Sequence, residues 1–390
     1  MTFEFATAGR VVFGWGTFGQ VPDLARPFGS KALVVLGREG RRGDELAERL
    51  AAAGMRSVPF RVDGEPKVAT VESAVRLARA EGCDLVIGVG GGSVIDAAKA
   101  AAGMATQAGG LLEHLEVVGE GKPLVADPLP FIAVPTTAGT GAEVTRNAVL
   151  DVPDKRVKVS LRSPALLPRV AVIDPELTLS MPPRVTAYTG MDALTQLIEP
   201  FVSNASNPIV DGLCREGIAR AARSLRAAFR DGSDRAARED MATASLLGGL
   251  ALANARLGAV HGFAGVLGGT YGLPHGAICA RLLPFVMTAN IAALEARSAD
   301  EPALVRYRAV ARIVTGQPAA TAMDGVQWVA RLCDDLEIPP LAIDHSPAAL
   351  DAVVAGARRA SSMKGNPVEL PDDVLRQILR GSSAVREVIG

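Results

Sequence analysis

Short apolar runs alternate with stretches of helical spacing through the first half of the chain. Lys31-Ala-Leu-Val-Val-Leu36 is apolar at every position after its first and predicts a buried strand, followed by an amphipathic helix over 42–53. The pattern repeats with a strand at 58–62 and a helix over 68–81. A third apolar run, Asp84-Leu-Val-Ile-Gly-Val89, leads into Gly90-Gly-Gly-Ser93 and a helix through Met104, and Phe131-Ile-Ala-Val134 precedes a loop of threonines and glycines. Strands with no polar alternation are buried on both faces, so this order predicts an α/β domain whose parallel sheet is covered by helices on both sides.

Strand signals stop near Asp174-Pro175. The segments at 185–202, 208–228, 235–254, 303–314 and 325–336 are rich in Ala and Leu at helical spacing, which predicts an all-α second half. The chain therefore divides into an α/β domain over residues 1–175 and a helical domain over 176–390. The crevice between two such domains is the natural place for a small ligand.

Composition narrows the class without changing this picture. A length of 390 residues with 48% apolar and 21% charged positions belongs to a folded globular protein rather than a disordered one. The 41 Lys and Arg nearly balance the 42 Asp and Glu, so there is no global basic field for nucleic acid. Cys83, Cys214, Cys279 and Cys333 have neither metal-binding nor redox spacing, which favours a reduced, cytoplasmic setting. The first ten residues contain Glu4 and lack the basic-then-apolar form of a signal peptide. Residues 257–280 lack Asp, Glu, Lys and Arg, yet seven glycines, Pro274, His261 and His275 argue for a buried functional segment rather than a membrane span.

Two loops carry candidate cofactor chemistry. Gly90, Gly91, Gly92 and Ser93 join a strand to a helix, where close-approaching amides and a helix N-terminus favour an anion. Ser93 with Asp96 also forms an S-x-x-D capping signature. A tight capped turn accounts for the same residues. The second loop, Val134-Pro-Thr-Thr-Ala-Gly-Thr-Gly-Ala-Glu143, again follows a strand and offers Thr136, Thr137 and Thr140. Two loops at strand C-terminal ends point to a nucleotide.

A second constellation lies in the helical half. Asp192 and Gln196 are four residues apart and share a helix face among apolar neighbours, where an unpaired carboxylate is costly. With His261 and His275 they would form a mixed O/N site for Fe(II), Zn(II) or Mn(II). Separate structural roles, a helix cap and two core histidines, fit the same spacing.

Several motifs in series resemble the iron-containing (group III) alcohol dehydrogenases, whose fold is related to dehydroquinate synthase. They are Gly90-Gly-Gly-Ser-Val-Ile-Asp-Ala-Ala-Lys99, the Val134–Thr145 loop, Lys158-Val-Ser160, Ile173-Asp-Pro-Glu-Leu177, Gly190-Met-Asp-Ala-Leu-Thr195 and Pro274-His-Gly276, spread over essentially the whole chain. The resemblance implies NAD or NADP on the α/β domain and a catalytic divalent metal, Fe(II) or alternatively Zn(II). It also implies a small alcohol or carbonyl substrate, no nucleic-acid or membrane partner, and a homodimer or higher homo-oligomer. By the same resemblance, Asp192, His261 and His275 are metal ligands and catalytic residues, and Lys158 is catalytic as well as cofactor-binding. Gly90, Gly91, Gly92, Ser93, Asp96, Thr136, Thr137, Thr140 and Leu177 complete the cofactor set.

Three departures from the family pattern stand out. Gln196 occupies the position of a fourth, histidine ligand and is a weaker donor than imidazole. Gly265 replaces a nearby histidine that would relay a proton. After the first predicted strand the family often carries an Asp for the adenosine 2′-hydroxyl; here Gly37 and Arg38 leave room and a cation for a 2′-phosphate, or form a simple turn. The expected activity is NAD(P)-dependent interconversion of a small alcohol and its aldehyde or ketone by metal-assisted hydride transfer. Metal-free reduction of an acidic carbonyl compound, as in the similar maleylacetate reductases, and a catalytically dead nucleotide-binding protein are the rivals.

Overall fold

The computed structural model describes residues 2–38, 41–155 and 157–383. Phe5–Ser180 forms one compact unit, and the residues from Met181 onward form the body of a second.

The first unit runs β1 (Val11–Phe13), α1 (Val21–Ala25), β2 (Lys31–Leu36), α2 (Arg41–Ala52), β3 (Arg56–Arg61), α3 (Val68–Glu81), β4 (Leu85–Gly90), α4 (Gly92–Met104), α5 (Leu111–His114), β5 (Phe131–Pro135), β6 (Asn147–Val152), β7 (Val157–Arg162) and β8 (Val170–Ile173). Six strands form one parallel sheet in the order β1-β8-β5-β4-β2-β3. The unbroken apolar runs have a direct cause. Leu33, Val35, Val86 and Ala133 point into a core with α3 and α4, while Ala32, Val34, Leu36, Ile87 and Val134 point into a second core with α1 and α2. Alternate side chains of each strand are thus buried on opposite faces.

The antiparallel hairpin β6–β7 lies outside this sheet and was not predicted. It packs on α4, where the Val149 amide donates to Asp96 Oδ2 at 3.1 Å. Lys99, fully buried on the same helix, donates to the carbonyls of Ala142, Thr145 and Asn147 at 2.7, 2.9 and 2.8 Å.

The second unit contains, among the described residues, only helices: α6 (Pro183–Val202), α7 (Pro208–Arg230), α8 (Arg235–Asn254), α9 (Ala259–Tyr271), α10 (His275–Glu295), α11 (Pro302–Thr315), α12 (Ala322–Asp335), α13 (Pro347–Arg359) and α14 (Asp372–Ser383). Side chains of Asn207, Asp234, Thr321 and Ser346 cap α7, α8, α12 and α13. Helix α6 is buried at every position from Gly190 to Val202, which makes it the central helix of the unit. The glycine-rich segment forms α9 and the start of α10; it breaks at Gly272, in the left-handed region at φ 66°, followed by Pro274. Helix α10 is long and apolar enough to cross a membrane, and most of it is packed inside the protein.

Candidate active site

Strand order fixes where a cofactor is expected on the first unit. The chain passes from β2 outward to β3, then returns across β2 to β4, so the sheet reverses direction between β2 and β4. Open α/β sheets bind nucleotides at the carboxyl ends of the strands flanking such a reversal. Gly37 and Arg38 follow β2, and Gly91 and Gly92 follow β4, on either side of that point. The Thr136 amide donates to Gly90 O at 2.9 Å and draws the threonine loop alongside. A Cβ on Gly92 would fall 2.7 Å from Thr140 Cγ2, and one on Gly91 would fall 3.3 Å from Thr137 Cγ2. Close packing of the two loops therefore requires a glycine at 92, whereas a side chain at 91 would only press on Thr137, and Gly91 itself has an ordinary extended backbone.

The capping signature is corrected by the structure. Gly91, not Ser93, is the N-cap of α4, and no side-chain hydrogen bond caps this helix. Ser93 lies inside the first turn, and Asp96 faces the β6 amide described above. The helix start carries no side-chain competitor for an anion. Arg61, at the end of β3, reaches the carbonyls of Gly37 and Arg38 at 3.5 Å and places a second cation near the β2 end.

Two other predicted residues sit differently from a simple cofactor contact. The Leu177 side chain is buried in the core of the sheet with Phe18 and Val172. Lys158, on β7, pairs with Glu65 at 3.1 Å and belongs to the first unit, whereas Asp192, Gln196, His261 and His275 belong to the second.

The structure brings Asp192, His261 and His275 together. Asp192 projects from α6, His261 from the first turn of α9, and His275 is the first residue of α10. Asp192 Oδ1 lies 3.4 Å from His261 Nε2 and 3.5 Å from His275 Nε2. Gln196 is buried one helical turn beyond Asp192. The Pro274-His-Gly276 sequence has a packing reason as well: a Cβ at Gly276 would lie 2.2 Å from the Tyr188 carbonyl oxygen, so only glycine lets α10 pass this close to α6.

Two residues of the cluster went unnoticed in the sequence. Cys279 lies one turn after His275, with Sγ 3.6 Å from His275 Nε2 and 3.9 Å from His261 Nε2. Glu199 lies seven residues after Asp192 on the same helix and places Oε2 2.5 Å from His261 Nδ1. Spacing of i, i+4 from His275 and i, i+7 from Asp192 could have found them.

Electrostatically the cluster calls for a cation. Burial pulls the His275 imidazole down, but Cys279 and Asp192 outweigh it and raise it to about 10. His261 is likewise raised against its burial, by Cys279, Glu199 and Asp192. Burial opposes ionisation of Asp192, yet the two imidazoles hold its carboxyl well below the usual range. Asp192 Oδ1 is buried and accepts no well-formed hydrogen bond. A buried carboxylate oxygen left in this way, facing two imidazole nitrogens, fits a divalent ion by the chemistry of the donor set.

A parallel α/β sheet of nucleotide-binding topology and a helical unit with a His/carboxylate cluster fit a cofactor- and metal-dependent enzyme. Residues 8–175 match the iron-containing alcohol dehydrogenases, and residues 186–383 match the C-terminal region of the Fe-containing alcohol dehydrogenase family. The chain belongs to the iron-containing alcohol dehydrogenase family and is an oxidoreductase acting on the CH–OH group with NAD(P). It is 41% identical to long-chain-alcohol dehydrogenase 1 of Geobacillus thermodenitrificans over 295 residues, covering 71% of this chain and 72% of that one. The crystal structure of a 1,3-propanediol oxidoreductase superposes with a TM-score of 0.90 at 32% identity, covering 98% of this chain and all of the other. A sulfoacetaldehyde reductase from Bifidobacterium kashiwanohense, solved in complex with NAD+, superposes with a TM-score of 0.86 at 27% identity, covering 99% of this chain and all of the other.

Proposed function

We propose that this chain interconverts a small alcohol and its aldehyde or ketone, using NADP(H) at least as well as NAD(H), with a divalent ion held by Asp192, His261 and His275. The observation that carries the reading is Asp192 Oδ1, buried without a well-formed hydrogen bond and 3.4 and 3.5 Å from two imidazole nitrogens. When bound, the ion supplies Lewis acidity toward an alcohol or carbonyl oxygen, and the nicotinamide supplies or accepts the hydride.

The chain's own residues supply position and charge. The first-turn amides of α4, with no side-chain cap, bind the pyrophosphate, and Thr136, Thr137 and Thr140 line the adjoining loop. Gly37 leaves space after β2, and Arg38 with Arg61 offers positive charge to a 2′-phosphate. Glu199 holds His261 through Nδ1 and leaves Nε2 facing Asp192. Four free, buried thiols support a reducing, cytoplasmic setting, and the family resemblance supports a homo-oligomer, which sedimentation would test.

The test follows NADPH and NADH oxidation with a panel of aldehydes and ketones on protein stripped of metal and reloaded with Fe(II) or Zn(II). Turnover that depends on the ion supports the reading. Full activity from stripped protein replaces it with metal-free reduction, and cofactor binding without turnover under any ion replaces it with a binding protein.

A further inference from the structure

We propose that the Cys279 thiolate is a direct ligand of the ion held by Asp192, His261 and His275, making an Asp/His/His/Cys centre. This inference rests on the metal site proposed above and concerns its fourth donor.

The geometry carries it. The donor atoms of Asp192, His261, His275 and Cys279 all lie within 4.8 Å of one another. A tetrahedral ion with bonds of about 2.1 Å to nitrogen and oxygen and about 2.3 Å to sulfur has edges of about 3.4 Å between N and O and about 3.6 Å between N and S. Here the two O–N edges are 3.4 and 3.5 Å, and the two S–N edges are 3.6 and 3.9 Å. Four of the six edges between side chains from three helices are thus close to those of one coordination shell, and the other two are within 4.8 Å. His275 and Cys279, at i and i+4 on α10, present both donors from one helix face.

Charge and softness point the same way. Among the four donors only Asp192 and a Cys279 thiolate carry negative charge, and together they match the charge of a dication within its shell, while Glu199 stays outside it on His261 Nδ1. Thiolate and imidazole donors both suit borderline divalent ions rather than hard, oxygen-preferring ones, and Asp/His/His/Cys is a donor set that tetrahedral zinc accepts. Other thiols do not compete: the Cys333 thiol donates to the Ala280 carbonyl at 3.2 Å, Cys83 belongs to the other unit, and Cys214 is buried on α7. Gln196, in the position that usually holds the fourth ligand in the family, is then not needed as a protein donor, and a substrate oxygen would enter as a fifth ligand.

The experiment uses full-length protein stripped of metal and titrated with Co(II), which reports sulfur ligation without turnover. A thiolate-to-cobalt charge-transfer band should grow in the near ultraviolet to one equivalent. Cys279→Ser and Cys279→Ala should bind one Co(II) about 10-fold more weakly or worse and lack the band. X-ray absorption of the zinc-loaded wild type, which needs no variant to fold, should show one sulfur at about 2.3 Å. Stoichiometric metal without a sulfur signal, or a band that persists in Cys279→Ser, overturns this inference and leaves the Asp192/His261/His275 site standing. Failure of the wild type to bind any ion overturns both.

Discussion

Glu199 Oε2 lies 2.5 Å from His261 Nδ1, while Oε1 of the same carboxylate accepts the Val260 amide at 2.7 Å. One carboxylate on α6 therefore anchors the first turn of α9 and orients its histidine. The accepting carboxylate fixes the proton on Nδ1 and leaves the Nε2 lone pair for an ion. Gly258 makes this approach physically feasible, since a Cβ there would lie 2.7 Å from Glu199 Oε1. Glu199→Gln keeps the volume but weakens both bonds, and should lower metal affinity by about 10- to 100-fold. Competition with a chromophoric chelator measures it. Unchanged affinity, or a loss matched by unfolding of the ion-free protein, would reject the positioning role.

Much of the fold was legible because its pattern is unusually plain. Strands β2, β4 and β5 are apolar at nearly every position since both faces of the sheet are covered, and α3 and α8 were readable to the residue from their spacing. The hairpin β6–β7 was harder: its half-buried strands mix Asn, Asp, Lys, Arg and Ser with short apolar positions and resemble the loop that precedes them. Within the site, Asp192, His261 and His275 stood out as polar groups in apolar text. Cys279 did not, because a buried cysteine reads as an ordinary core residue. Glu199 was legible only as a carboxylate two turns after Asp192; its partner His261 is 62 positions away, and the packing of α9 on α6 joins them.

The glycine loop yields a separate prediction. Gly91 has an ordinary backbone, so a side chain there meets Thr137 at 3.3–3.4 Å rather than strain. Gly91→Val should weaken NAD(P)H binding by about tenfold or more, while melting changes little, because the branched side chain enters the space over the first turn of α4. Fluorescence titration of the reduced cofactor measures the affinity. Unaltered binding in a folded variant would move the pyrophosphate elsewhere.

Cofactor choice should turn on Gly37. A Cβ at this position meets only Val94 Cγ2, at the ordinary contact distance of 3.6 Å, so Gly37→Asp fits without displacing the backbone. The new carboxylate can accept from a ribose 2′-hydroxyl and repels a 2′-phosphate. The kcat/KM ratio of NADPH to NADH should fall at least about tenfold in the variant, or about 1.4 kcal/mol. A tenfold preference of the wild type for NADH would contradict the assignment of Arg38 and Arg61 to the phosphate.

Lys99 offers a stability test independent of catalysis. Burial lowers its ammonium to about 8, although the chain surrounds it with three carbonyls and the Thr145 hydroxyl. Lys99→Met removes the charge but leaves those acceptors unmet, which should cost about 3–5 kcal/mol by denaturant unfolding. The pH dependence has a defined sign. A lysine lowered from 10.5 to about 8 releases its proton earlier when folded, so its penalty is present below pH 8 and is relieved as pH rises toward 10.5. The deficit of the variant relative to wild type should therefore widen with pH across that window.

Removal of the ion should change the pH dependence of stability. In the ion-free protein, burial opposes the His275 charge, but Cys279 and Asp192 raise the imidazole from 6.5 to about 10. A folded pKa above the unfolded one stabilises most below pH 6.5, and that contribution is lost as pH climbs through about 10. Stripped protein should accordingly become less stable across this window. An ion binds only deprotonated imidazole, so it must displace the same protons, and its affinity should rise by up to about tenfold per pH unit for each proton displaced. Tighter binding adds stability to the loaded form by mass action. Melting curves of stripped and loaded protein, recorded from pH 6.5 to about 10 at constant free metal, should therefore diverge, with the gap widening upward in pH. His275→Ala removes one of these protons and one donor, so its two curves should lie close together at every pH. Parallel curves for the wild type would mean that the bound ion displaces no proton from this cluster, and would place the metal somewhere other than Asp192, His261 and His275.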